Sequence, residues 1–132
     1  MGEVSAVRFA GYAAVFDVAD RGGDVVRRGG VRWADEVPLL WQHSGPPVGI
    51  IEHLEADTRG VRVIGRVIEA RAATLVACGA ITGLSFGYRA RAVEQGTFRE
   101  LLILDLIEVS LVAQPMQRLA RIHRVEATGE SA

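Results

Sequence analysis

Ser85 stands between two glycines in TGLSFGY (82–88), with large apolar residues on both sides. Gly83 and Gly87 leave room there for a tight turn or for a substrate backbone. A serine hydroxyl becomes a nucleophile when an imidazole takes its proton and a further group orients that imidazole. The chain offers serines at 5, 44, 85, 110 and 131 and histidines at 43, 53 and 123. On a strand, Ser85, Gly87, Arg89 and Arg91 share one face, while Phe86, Tyr88 and Ala90 take the other. Ser85 then has no bulky apolar neighbour on its own face. The pattern alone favours the ordinary alternative, a strand-end serine whose hydroxyl is satisfied locally.

His43 closes the apolar run LLWQ, just ahead of a Pro-Pro pair. A histidine at the mouth of a strand faces a cleft or, more commonly, bonds a backbone carbonyl. His53 lies among Glu52 and Glu55 and reads as part of a solvated face. His123 lies near the end of the chain. Glu108 interrupts the otherwise apolar LIEVSLV, and a buried carboxylate is costly without a partner. An imidazole would satisfy it, and so would one of the arginines. On a regular strand Glu108 shares a face with Leu106, Ser110 and Val112. Asp105 falls on the opposite face, unless a bulge reverses the phase. A metal is not expected: the histidines and the lone Cys78 have no ligand spacing, and neither HExxH nor CxxC occurs. RGGD and RRGG lack the strand–turn–helix setting of a phosphate loop. No cofactor is expected.

These side chains need a scaffold, and the hydropathy pattern predicts mostly strands. VRFAGYAAVF (7–16) reads as a strand with a glycine bend, and 17–24 as a polar loop. GGVRWADEV (29–37) suits a short helical turn. VPLLWQH (37–43) is a strand that SGPP (44–47) breaks. Residues 48–57 and 60–70 form two strands joined at DTRG, with Val61, Val63 and Val67 on one face and Arg62 and Arg66 on the other. EARAATLVACGAI (69–81) is the one clear helix, ending at Gly79, with Cys78 as a small core residue. Residues 84–93 alternate, EQG (94–96) turns, and 98–112 is a long apolar strand, bent or split near its middle. VEATGESA is polar and small, a frayed tail. The sum is a β-rich domain, a small barrel or sandwich.

Composition narrows the class. At 132 residues the chain fits one domain, and 49% hydrophobic residues suffice for a core. A net charge of −1 gives no basic patch, so nucleic acid is not an expected partner. All basic residues are arginine, which fits a GC-rich genome. A single cysteine fits a reducing compartment, and no run approaches a membrane span, so a soluble intracellular protein without membrane contact is expected.

Four ordered stretches resemble a known family. GYAAVFDVADRGGDVVRRGG (11–30), VPLLWQH (37–43) with PVGII (47–51), GAITGLSFGY (79–88) and LDLIEVSLVAQPM (104–116) are similar to segments of the tailed-phage prohead maturation proteases. Those are serine peptidases similar in fold to herpesvirus assemblin. The closing PMQRLARI departs from the family's more usual Pro-Asn-Pro type of ending. The resemblance implies His43 as general base, Ser85 as nucleophile and Glu108 as orienting acid, with Asp105 the alternative. It places the oxyanion donors near Ser85 or the Pro115 turn, with Arg118 a further candidate. The implied fold is a small closed or nearly closed barrel of mostly antiparallel strands. One main helix at about 69–80 and short flanking helical turns go with it. The implied organisation is a protease domain over 1–122 and a polar tail over 123–132. The implied substrates are the scaffold protein or the scaffold-like N-terminal segment of the major capsid protein, and the protease itself. The setting would be the assembling prohead in the bacterial cytoplasm, from a phage, a prophage or a gene transfer agent, with the protease a homodimer. The alternative is an inactive barrel module that assists assembly by binding.

Overall fold

The computed structural model of the chain describes residues 6–127. Among them the elements run β1 (Val7–Val15), β2 (Asp24–Val26), β3 (Val31–Arg32), β4 (Leu39–Trp41), β5 (Ser44–Ala56), β6 (Gly60–Val67), α1 (Ala70–Ala77), β7 (Gly83–Gln95), β8 (Arg99–Val112) and β9 (Ile122–Ala127).

β8 organises the sheet. Its near-continuous apolar run suits a strand covered on both faces. β7 lies antiparallel along one edge, while β2, β3 and β4 take successive stretches of the other edge in parallel. The sheet continues from β4 through β5, β6, β1 and β9, each antiparallel to its neighbour. β2 and β3 are too short to carry a periodicity, and pairing makes them strands. Arg27 N–H donates to Leu101 O at 3.0 Å, and Leu104 N–H to Gly30 O at 2.9 Å. That pairing replaces the helical turn expected within 29–37. α1 is the one helix among the described residues, so the expected flanking turns do not form.

The sheet is not closed into a barrel. β7 meets the approach to β9 only through an isolated bridge between Gly83 and Arg121, with Leu84 N–H on Ala120 O at 3.0 Å. Beyond that point β7 runs on with β8 as a long hairpin, so among the described residues no ladder joins the two ends of the sheet. The strand-rich expectation holds and closure does not.

Leu39, Val63, Val67, Leu84, Leu104 and Leu111 are fully buried and form the centre of the core. α1 adds Ala72, Ala73 and Val76 to it. Glu69 caps that helix, accepting from Ala72 N–H at 2.8 Å and Arg71 N–H at 3.2 Å. Cys78 is the C-cap and exposed, not the core residue expected, because the helix ends there and its side chain lies off the buried face. β9 also corrects an expectation: to Ala127 the presumed tail is a strand paired with β1. Residues 128–132 lie outside the described residues.

Candidate active site

The break expected at SGPP lies two residues earlier. Trp41 pairs with Ser44, so Gln42 and His43 alone form the β4–β5 turn. Their φ angles are 51° and 64°, both left-handed. This is the backbone of a two-residue hairpin turn that Asn-Gly usually makes. Side chains in that region cost about 1–2 kcal/mol each, and such strain gathers at functional sites. Two bonds hold the turn against β8: Gln42 N–H on Leu111 O and His43 N–H on Ser110 Oγ, both at 3.0 Å. Pro46 and Pro47 fall in a register shift between Leu39↔Gly49 and Trp41↔Ser44, where a missing N–H breaks no ladder bond.

The turn folds the His43 imidazole back over β8. Its Nδ1–H donates to Glu108 Oε1 at 2.6 Å. The Glu108 side chain is 10% exposed, whereas the His43 side chain is 44% exposed. Nε2 is thereby left for another group. Ser110 is fully buried beside them, and its hydroxyl donates to Glu108 Oε2 at 2.8 Å.

A bulge sets the face on which these groups lie. Gly87 pairs with Glu108, but Tyr88 pairs with Leu106, so Ile107 is an extra residue in β8. Successive residues of β7 point to opposite faces, and cross-strand partners share a face. Leu106 therefore turns inward with Tyr88, while Glu108 and Ser110 turn outward with Gly87 and Ser85. The expectation that Leu106 shares a face with Glu108 fails for this reason. Ser85 is the direct partner of Ser110, at a Cβ separation of about 5 Å for such pairs. It is 5% exposed, and among the described residues no hydrogen bond engages its hydroxyl.

The same bulge reverses the phase for Asp105: it pairs with Arg89 and so shares the face of Glu108, not the opposite face expected of a regular strand, but its partner is an arginine. Asp105 sits before the bulge, and Arg91 Nε donates to its Oδ2 at 2.6 Å. His53 bonds Glu55 at 3.1 Å on the surface, as expected. His123 lies on β9, its ring 5.9 Å from that of Tyr12. Arg118 is exposed, and Pro115 packs near Gly83.

The two glycines around Ser85 have a different use from the one expected. A Cβ on Gly83 would come within 2.7 Å of Val112 O and 2.8 Å of Pro115 Cδ. A Cβ on Gly87 would come within 3.0 Å of Glu108 Oε1. The space belongs to the protein's own Pro115 and Glu108. A groove of about 710 Å³ between Trp33–Pro38 and β5 includes none of Ser85, His43 and Glu108. A cavity of about 80 Å³ does adjoin Ser85, lined by Leu84, Phe86, Leu101 and Met116 among others. The chemistry, and not cavity size, marks the site.

An imidazole on a buried carboxylate, with an unengaged serine hydroxyl on the same sheet face, holds the groups that serine hydrolases use. The sequence model of the caudovirus prohead serine protease family matches residues 2–131, and the chain belongs to that family. It is thus of the serine peptidase class, and a phage prohead protease works on capsid proteins inside the assembling prohead of the host cell. A search of the curated proteins gave no match. Among the described residues no helix is long and apolar enough to cross a membrane.

Proposed function

We propose that the chain is an endopeptidase in which Ser85 attacks the scissile carbonyl, His43 takes the serine proton, and Glu108 orients the imidazole. The observation that carries this reading is the 2.6 Å contact from His43 Nδ1 to Glu108. It fixes the tautomer, so that Nε2 is the basic nitrogen. Glu108 then stabilises the imidazolium formed when Ser85 adds to the substrate. His43 returns the proton to the leaving amine, and water hydrolyses the acyl-enzyme with His43 again as base. Backbone N–H groups beside Ser85 or the Pro115 turn receive the oxyanion, a role worth about 10²–10³ in rate per donor.

The substrates under this reading are the scaffold protein or the scaffold-like N-terminal segment of the major capsid protein, with self-cleavage, and the working form is a homodimer. Co-expression with the cognate capsid protein tests it. Wild type should shorten the capsid protein and Ser85→Ala should leave it full length. Processing by Ser85→Ala at the wild-type rate would refute the nucleophile assignment. Sedimentation of an active but strictly monomeric protein would refute the dimer.

A further inference from the structure

Ser110 is the fully buried serine directly opposite the proposed nucleophile. Its hydroxyl works in both directions. It donates its proton to Glu108, 2.8 Å from Oε2 and 3.3 Å from Oε1, and it accepts the His43 backbone N–H at 3.0 Å. A hydroxyl has one proton and two lone pairs, so one group can hold both partners. One side chain therefore binds the carboxylate that orients the imidazole and the backbone that carries the imidazole.

We infer that Ser110 is a positioning residue, a clamp that fixes the strained Gln42–His43 turn and the Glu108 carboxylate in one geometry. The inference rests on the reading of His43 and Glu108 as base and orienting acid. The turn supplies the need for a clamp. Gln42 and His43 are both left-handed without being glycine, so the hairpin has no intrinsic preference for this shape. The bonds from Gln42 N–H to Leu111 O and from His43 N–H to Ser110 Oγ hold it down. The Ile107 bulge contributes as well, since without it Ser110 and Glu108 would share the face of Leu106. The clamp also separates two adjacent serines by role. The Ser110 proton is committed to a carboxylate, whereas the Ser85 hydroxyl is unengaged among the described residues. Ser110 therefore acts through His43 and touches no substrate.

The test compares Ser110→Ala, which leaves Glu108 and the His43 N–H each short of a partner, with Ser110→Thr, which restores the hydroxyl. Cleavage of a peptide copied from the capsid processing site should fall by about 10- to 100-fold in kcat for the alanine variant, the scale expected when a reacting group is slightly misplaced. KM should stay within about threefold, because no substrate contact is lost. Threonine should recover most of kcat. ¹⁵N NMR of the imidazole should show His43 as the Nδ1–H tautomer in wild type and as a tautomer mixture in Ser110→Ala. That readout needs no turnover, so it stands even if Ser85→Ala turns out to be active and the nucleophile assignment falls. Should the alanine variant not fold, hydrogen exchange in wild type decides. The His43 amide should exchange slowly despite its place in a surface turn. Wild-type kcat and tautomer in Ser110→Ala, or fast exchange at the His43 amide, would overturn the clamp.

Discussion

The two halves of β8 handle charge in opposite ways. Before the Ile107 bulge each charged side chain meets a permanent charge of the opposite sign. Arg99 holds both oxygens of Asp24 at 3.0 Å, Arg27 bonds Glu100 at 3.0 Å, and Arg91 bonds Asp105 at 2.6 Å. After the bulge Glu108 meets, among the described residues, groups that exchange or share protons, the His43 imidazole and the Ser110 hydroxyl. The first half is half-exposed and electrically closed. The second is buried, and its imidazole keeps one nitrogen free. A carboxylate fixed to a guanidinium steadies a fold, whereas one fixed to an imidazole orients a base.

The sharpest way to break this comparison is to amidate one carboxylate in each half. Glu108→Gln should lower kcat by roughly 10⁴-fold with the fold intact, as expected when an orienting acid no longer fixes the imidazole tautomer. Asp105→Asn should stay within about threefold, since an exposed pair contributes little. Capsid-peptide cleavage by the two purified variants, each checked by circular dichroism, gives the answer. Comparable losses in both would mean that the halves are not functionally distinct.

A smaller effect is expected at Gly87. Its missing Cβ leaves the space in which the Glu108 carboxylate lies, 3.0 Å from where that Cβ would be. Gly87→Ala should push the carboxylate off His43 and reduce kcat by about 10²-fold, the cost of misplacing a reacting group by about 1 Å. The ion pairs of the first half should not notice. Unchanged kcat would show that Glu108 has room to move without consequence.

Much of this division was legible in the sequence. An acid inside LIEVSLV must find a partner, and the sequence left an imidazole and the arginines open; the partner in the fold is His43. Placement was less legible. The bulge exists only in the pairing of β8 with β7, so strand alternation put Leu106 and Glu108 on one face. The β4–β5 turn has Gln-His where Asn-Gly would have announced it, and the nearby prolines drew the expected break to SGPP. β2 and β3 are strands only because β8 offers them hydrogen bonds. Closure of the sheet was expected from strand content and family resemblance, yet closure depends on which edges meet, and β7 leaves the neighbourhood of β9 after one bridge. The polar β9 became a strand through β1, not through its own pattern.

The turn itself offers a change in the other direction. Gln42→Asn keeps the polar character and substitutes the residue best suited to a left-handed first turn position. Stability should rise by about 0.5 kcal/mol, read as a higher urea midpoint at constant slope, with kcat unchanged. A lower midpoint would mean that the Gln42 side chain contributes something its backbone geometry conceals.

A comparably small effect belongs to the closed half of β8. Hydrogen bonding from Arg99 holds the Asp24 carboxyl below the usual carboxylate range, against the opposing effect of its own partial burial. Burial first, and then the charge of Asp24, push the Tyr88 phenol up, so it stays neutral beside that carboxylate. A carboxyl with a depressed folded pKa contributes stability that is fully present above its unfolded value, near 3.9, and is lost as the pH falls through the folded value. Stability should therefore decline below about pH 4, and Asp24→Asn should flatten that decline while lowering stability at neutral pH by about 1 kcal/mol or less. Arg99 is more than a third exposed, which keeps the gain small. Urea unfolding of wild type and Asp24→Asn at pH 3 and pH 7 measures both quantities. If the variant shows the same acid-side slope as wild type, the carboxylate is not part of the acid limb, and the pairing at the start of β8 is geometric without being energetic.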